Sequence, residues 1–150
     1  MQRRDPLVLL VEDNEDDEAL TLRGFNKHLP GARVIVARDG QQAISMISGI
    51  ESGNQGTAQA DVPDFVLLDL KLPLASGFEV MHRLRSVEAT RKIPVVVFSS
   101  SDQPQDVANS YLHGANTFVQ KPTQYEDYMP VIGAIAHYWF EVASLPVEAN

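Results

Sequence analysis

Five side chains stand out by their type and by what precedes them. An acid pair, Glu12-Asp13, closes the apolar run Leu7–Val11, and a lone acid, Asp69, closes the run Phe65–Leu68. A hydroxyl, Ser99, ends the run over 95–98, and Lys121 follows Phe118-Val119-Gln120. Two carboxylates about 4 Å apart repel by roughly 4 kcal/mol at an effective dielectric of about 20, so a fold that gathers three of them calls for a cation. Hard oxygen donors with room for water suit Mg²⁺. The plainer reading is that Glu12 and Asp13 only complement the N-terminus of a helix. The hydroxyl and the ammonium on two further run ends favour the richer one. A nucleophile, metal ligands and two groups for anionic oxygens make a set suited to phosphoryl transfer. Pro122, directly after Lys121, permits a cis bond in a tight turn.

Such a set works only if four chain segments end at one place. Leu7–Val11 is apolar without alternation, which marks a strand buried on both faces of a parallel sheet. Comparable runs span 34–37, 65–68, 95–98 and 117–119. Between them apolar residues recur at helical spacing: Ala19, Leu22, Phe25 and Leu29; Ala43, Ile44, Ile47 and Ile50; Phe78, Met81 and Leu84; Val107, Ala108, Tyr111 and Leu112. Strict alternation of five strands with five helices predicts a doubly wound α/β fold. In such sheets ligands bind outside the carboxyl ends of the strands, where the winding reverses. Helix starts agree. Ser76 with Glu79 and Thr123 with Glu126 fit the capping box, Asn14 with Asp17 and Asp39 with Gln42 form weaker versions, and Gly114 stands where a helix should stop. Pro130 is tolerable if the last helix begins near Tyr125, close enough to its first turn.

The chain of 150 residues is 44% hydrophobic and 21% charged, enough for one compact core. With no cysteine there is no disulfide framework, thiolate zinc site or cysteine nucleophile. A net charge of −8 argues against a nucleic-acid partner, and no apolar window is long enough for a membrane helix. The expectation is a soluble cytoplasmic domain over residues 1–143 with a short extension, 144–150. The polar stretch between Ser52 and Pro63 reads as a surface loop. His28, His82, His113 and His137 share no ligand spacing. Arg83, Arg85, Arg91 and Lys92 read as a solvated basic face. Asp16, Asp17 and Glu18 could extend the acidic site, but their place in a first helical turn favours dipole complementation or contact with a partner.

Leu9-Leu10-Val11-Glu12-Asp13-Asn14, Leu67-Leu68-Asp69-Leu70-Lys71-Leu72-Pro73 with Ser76-Gly77, residues 93–101, and Gly114 through Pro122 together resemble the receiver domains of two-component response regulators, in order and in spacing. The resemblance covers about residues 6–140. It implies a flavodoxin-like (βα)5 sheet in the order 2-1-3-4-5, with Asp69 as the phosphoacceptor. It also implies Mg²⁺ or Mn²⁺ held directly by Asp13 and Asp69, through water by Glu12, and by the backbone carbonyl of Lys71. Ser99 matches the switch hydroxyl, where the family more often has Thr, Phe118 the switch aromatic, and Lys121 the phosphoryl-contacting lysine. The implied partner is a sensor histidine kinase.

The last helix carries two adjacent apolar stripes. Tyr128, Ile132, Ile135, Trp139 and Val142 form one; Met129, Ala136, Phe140 and Ala143 form the other. An arc that wide exceeds what packing on a sheet needs and points to a homodimer interface of Tyr128, Ile132, Ile135, Ala136, Trp139 and Phe140. The alternative is that neighbouring elements of the same chain cover both stripes. The segment 110–116, the long loop before Pro63 and the aromatic ending resemble stand-alone response regulators of bacteriophytochromes, which would make such a phytochrome the candidate kinase. Other classes lack their signatures. There is no phosphate loop ending in Gly-Lys-Ser/Thr, the loop after the first strand is acidic rather than phosphate-cradling, and Lys71 stands where an aspartyl phosphatase would carry a second acid. A phosphorylation-independent interaction scaffold is the remaining alternative.

Overall fold

A computed structural model describes residues 5–53 and 62–146. Residues 1–4, most of the loop before Pro63, and the end of the expected extension therefore lie outside the described residues. The chain alternates β1 (Leu7–Val11), α1 (Glu15–His28), β2 (Arg33–Ala37), α2 (Gly40–Glu51), β3 (Phe65–Leu68), α3 (Gly77–Ser86), β4 (Val95–Ser99), α4 (Pro104–Leu112), β5 (Thr117–Gln120) and α5 (Tyr125–His137), with a π-helical turn over Tyr138–Val142. All strands pair in parallel in the order β2-β1-β3-β4-β5, as expected for a flavodoxin-like receiver fold.

The unbroken apolar runs exist because the sheet has two dry faces. In β1, Leu9 and Val11 turn toward a cluster with Ala43 and Ile47 of α2 and Val80, Met81 and Leu84 of α3. Val8 and Leu10 turn to the other face, against Phe25 of α1 and Tyr128, Ile132, Ile135 and Ala136 of α5. Each fully buried side chain of this kind contributes about 1.5–3 kcal/mol, more than any local propensity.

That second face corrects the proposed dimer stripe. Tyr128, Ile132, Ile135 and Ala136 are buried inside the chain's own core and offer no surface to a second copy. Two neighbours account for the wide arc: Val8, Leu10, Phe65 and Val96 of the sheet pack with Tyr128, Ile132, Ile135 and Ala136, and α1 approaches so closely that a Cβ on Gly24 would stand 2.7 Å from Ile132. Trp139 and Phe140 are partly buried, their rings 5.9 and 5.3 Å from that of Phe65. On this stretch Tyr138 and Val142 remain exposed.

Helix starts follow the sequence in three places out of four. Ser76 and Glu79 make a full capping box, and Asn14 and Asp39 accept from the backbone of Asp17 and Gln42. The Thr123–Glu126 box does not form: Gln124 takes the N-cap position and provides no side-chain bond. Pro130 lies inside α5 rather than in its first turn, and the packing of Tyr128, Ile132 and Ile135 offsets the lost backbone bond.

Arg85 is no solvated cation. Half-buried at the end of α3, its guanidinium donates to the carbonyls of Gly114, Arg91 and Ile93 and to Asn116 Oδ1, at 2.7 to 3.2 Å. Asn116 Oδ1 also accepts from the N–H of Val95 at 2.8 Å. The amino ends of β4 and β5 are thereby tied to α3 through uncharged oxygens, and burial lowers the Arg85 pKa.

Candidate functional site

The sheet order brings the strand ends together. Val11 of β1 pairs with Leu68 of β3, so Glu12-Asp13 and Asp69 leave the sheet side by side. Their backbones extend the ladders by one residue, Asp69 N–H donating to the Val11 carbonyl and Glu12 N–H to the Ala37 carbonyl, each at 3.0 Å. Carboxylate oxygens of Glu12, Asp13 and Asp69 lie within 4.8 Å of one another. Glu12 is 1% exposed and Asp69 8%, whereas Asp13 faces solvent.

Lys121, just past β5, reaches into this acid cluster. Its Nζ lies 2.9 Å from Glu12 Oε1, 2.8 Å from Asp17 Oδ2 and 3.0 Å from Asp69 Oδ2, a carboxylate for each of its three donors. The Tyr128 hydroxyl donates to the other oxygen of Asp17 at 2.8 Å. Backbone groups hold the remaining oxygens. Leu70 N–H donates to Asp69 Oδ1 at 2.7 Å and Asn14 N–H to Glu12 Oε2 at 3.2 Å.

One ammonium cannot neutralise four carboxylates, and the protonation pattern follows. Burial pushes the Glu12 carboxyl up to about 7, Asp69 adding to the rise and Lys121 only partly opposing it. Burial alone would lower the Lys121 pKa, but Asp69, Asp17 and Glu12 outweigh it, so the ammonium is raised and stays charged. Tyr128 is raised by burial and then by Asp17, keeping its hydroxyl a donor. The opposite pulls on Glu12 and Lys121 agree physically, because the lysine divides its charge among several acids while Glu12 loses nearly all of its hydration. Three oxygen donors with an excess of negative charge fit a hard divalent cation.

The other expected residues fall around this centre. Ser99 ends β4, buried, and its carbonyl accepts from Lys121 N–H at 2.8 Å while its Oγ accepts from Ser101 N–H at 3.2 Å. Phe118 stands opposite Val97 on β5 and packs part-buried against the α2/α3 core. Lys71 is exposed in the β3–α3 loop, two residues beyond Asp69. The expected cis bond at Pro122 is absent: no peptide bond among the described residues is cis. The turn into α5 is made with the trans isomer, which is the lower in energy even before proline. Gly77 sets the β3–α3 loop against the site. Its N–H donates to the Leu70 carbonyl at 2.8 Å, and a Cβ there would stand 2.5 Å from the Asp69 carbonyl oxygen.

Asp17 and Tyr128 belong to the site, Asp17 against the favoured reading of a dipole-complementing acid and Tyr128 with no role there from the sequence. Asp17 followed a run of acids in a helical first turn, and Tyr128 lay on an apolar stripe. Only the chain from the Tyr128 hydroxyl through Asp17 to Lys121, which joins segments more than a hundred residues apart in sequence, distinguishes them.

Residues 8–132 match the response regulator receiver domain. The probable methanogenesis regulatory protein FilR2 of Methanothrix harundinacea is 34% identical over 93% of this chain and 87% of its own. The response regulator Rcp1 of Synechocystis is 30% identical over 93% of this chain and 92% of its own, and its Mn(2+)-bound crystal structure superimposes with a TM-score of 0.84 at 28% identity, covering 95% and 99% of the two chains. The phosphorylated cyanobacterial phytochrome response regulator RcpA superimposes with a TM-score of 0.86 at 30% identity, over 95% of this chain and 99% of that one.

Proposed function

The chain belongs to the response regulator receiver family, and from that premise we propose that it takes a phosphoryl group from a sensor histidine kinase onto Asp69 and signals through a protein surface. It is a two-component signalling protein rather than a classical enzyme, and its relatives include phytochrome response regulators. The proposed kinase is accordingly a bacteriophytochrome, and the proposed compartment the cytoplasm. Among the described residues no helix is long and apolar enough to cross a membrane. The observation that carries the reading is the buried convergence of Glu12 and Lys121 on Asp69, with Asp13 completing the acid trio.

Asp13 and Asp69 would hold a divalent ion directly, Glu12 through water and Lys71 by its carbonyl. When bound, Mg²⁺ or Mn²⁺ supplies the positive charge that lets an anionic nucleophile approach an anionic phosphoryl group. An Asp69 carboxylate oxygen attacks the phosphorus in line, the P–N bond to the kinase histidine breaks, and the imidazole leaves with the electron pair. The bond that fixes Asp69 Oδ1 to Leu70 N–H presents the carboxylate in one orientation. Lys121 carries its Asp69-directed N–H over to a phosphoryl oxygen. Ser99 donates a hydrogen bond to another, and Phe118 turns into the space that the hydroxyl leaves. The change is read on the surface of α4, β5 and α5 as a shift between two states. The receiver spans residues 1–143 with 144–150 as a short extension, and the protein is a homodimer engaging apolar surface that α5 and its π-helical turn leave exposed, Tyr125, Tyr138 and Val142 among it.

Acetyl phosphate with Mg²⁺, followed by intact mass and light scattering, tests this. Wild-type protein gains one phosphoryl group and scatters as a dimer, and Asp69→Asn gains no phosphoryl group while keeping its fold. A wild-type chain that takes no phosphoryl group and ignores beryllofluoride would instead be a phosphorylation-independent scaffold.

A further inference from the structure

We infer that Asp17, braced by Tyr128, is the positioning residue for Lys121, keeping the ammonium aimed at Asp69 while metal and phosphoryl group draw on its other two partners; this rests on the phosphoacceptor reading above.

The local sequence frees Asp17 for the task. It is the third residue of α1, and its N–H is capped by Asn14 Oδ1 at 2.9 Å. An acid in that place ordinarily reaches back to the N–H of the capping residue. Here Glu12 Oε2 already takes the Asn14 N–H, so both oxygens of Asp17 turn outward to other elements. One receives Lys121 and the other the Tyr128 hydroxyl, each at 2.8 Å. The hydroxyl fixes the plane of the carboxylate, and the carboxylate fixes one N–H direction of the ammonium.

Glu12 and Asp69 cannot do this during the reaction. Both belong to the acid trio that would hold the cation, and Asp17 stands outside it. Phosphorylation further turns the Asp69 carboxylate into an acyl phosphate, whose bridging and carbonyl oxygens carry little charge. Asp17 is then the lysine partner whose charge neither the cation nor the phosphoryl group claims. A lysine is a flexible four-carbon stem carrying a point charge, so its aim depends on such an anchor. The negative charge of Asp17 does not oppose the incoming phosphoryl group as a bare acid would, since Lys121 and Tyr128 already offset it.

The full chain and its Asp17→Asn and Tyr128→Phe variants should be compared in two ways. The first is the rate of phosphorylation by acetyl phosphate as Mg²⁺ and donor are varied. The second is the ¹⁵N-resolved signal of the Lys121 ammonium in the Mg²⁺–beryllofluoride state. Asp17→Asn should lower the maximal rate on the order of tenfold, leaving the half-saturating Mg²⁺ within about twofold. Its ammonium signal should be lost to exchange. Tyr128→Phe, which keeps the charge and the core packing, should move both readouts the same way by less. A variant rate equal to or above wild type, or a Lys121 signal unchanged in both variants, overturns the assignment even though wild-type protein is phosphorylated. Wild-type protein without label at Asp69 overturns the function proposed above and this inference with it.

Discussion

Glu12 makes stability depend on pH in a direction opposite to that of an ordinary paired carboxylate. Its pKa is 4.5 when exposed and about 7 in the folded chain, because burial costs the anion more than Lys121 returns. The folded state therefore binds the proton more tightly than the unfolded one. The stabilisation is complete below about pH 4.5 and is lost as pH rises through 7. At about 1.4 kcal/mol per pH unit, the gap corresponds to about 3 kcal/mol. Glu12→Gln carries no such proton and should lack this component, which separates it from the titration of every other group. Urea unfolding between pH 4.5 and 8, followed by the single tryptophan, Trp139, measures both proteins. Wild type should lose about 3 kcal/mol more than Glu12→Gln across that range. Mg²⁺ at a hundred times its dissociation constant should restore about 2.7 kcal/mol at pH 8, since it favours the deprotonated trio. Parallel pH profiles for the two proteins without Mg²⁺ would refute the reasoning.

Two further outcomes follow from packing. Gly77→Ala places a methyl group against the Asp69 carbonyl, so α3 or the loop must shift, costing about 1–3 kcal/mol in urea unfolding and slowing phosphorylation by acetyl phosphate. Ile132→Ala empties a fully buried position between α1, α5 and the sheet and should cost about 2–5 kcal/mol, with no effect on subunit association measured by light scattering beyond that of unfolding.

The strands were legible because a parallel sheet between two helical layers leaves β1, β3 and β4 no polar face, and Leu7–Val11 states that directly. Glu12, Asp13, Asp69 and Lys121 were legible because each ends such a run, and topology alone forces run ends to one edge. Asp17 was not, since an acid in the first turn of a helix has a sufficient local reason to be there, and its partner Lys121 is distant in sequence. The α5 stripes were misjudged for a related reason. Periodicity tells how wide an apolar arc is but not how many neighbours cover it, and Gly24, which lets α1 close on Ile132, carries no hydrophobic signal of its own. Arg85 likewise looks like its basic neighbours until the carbonyls it gathers are seen.

Those carbonyls give the sheet two unlike rims. At the carboxyl rim the chain is held by charges whose balance changes with protons, metal and phosphate. At the amino rim Arg85 donates to carbonyl and amide oxygens, none of which titrates. The amino ends of β4 and β5 are thus tied to α3 by one guanidinium on carbonyl and amide oxygens, while their carboxyl ends meet at a lysine shared among acids.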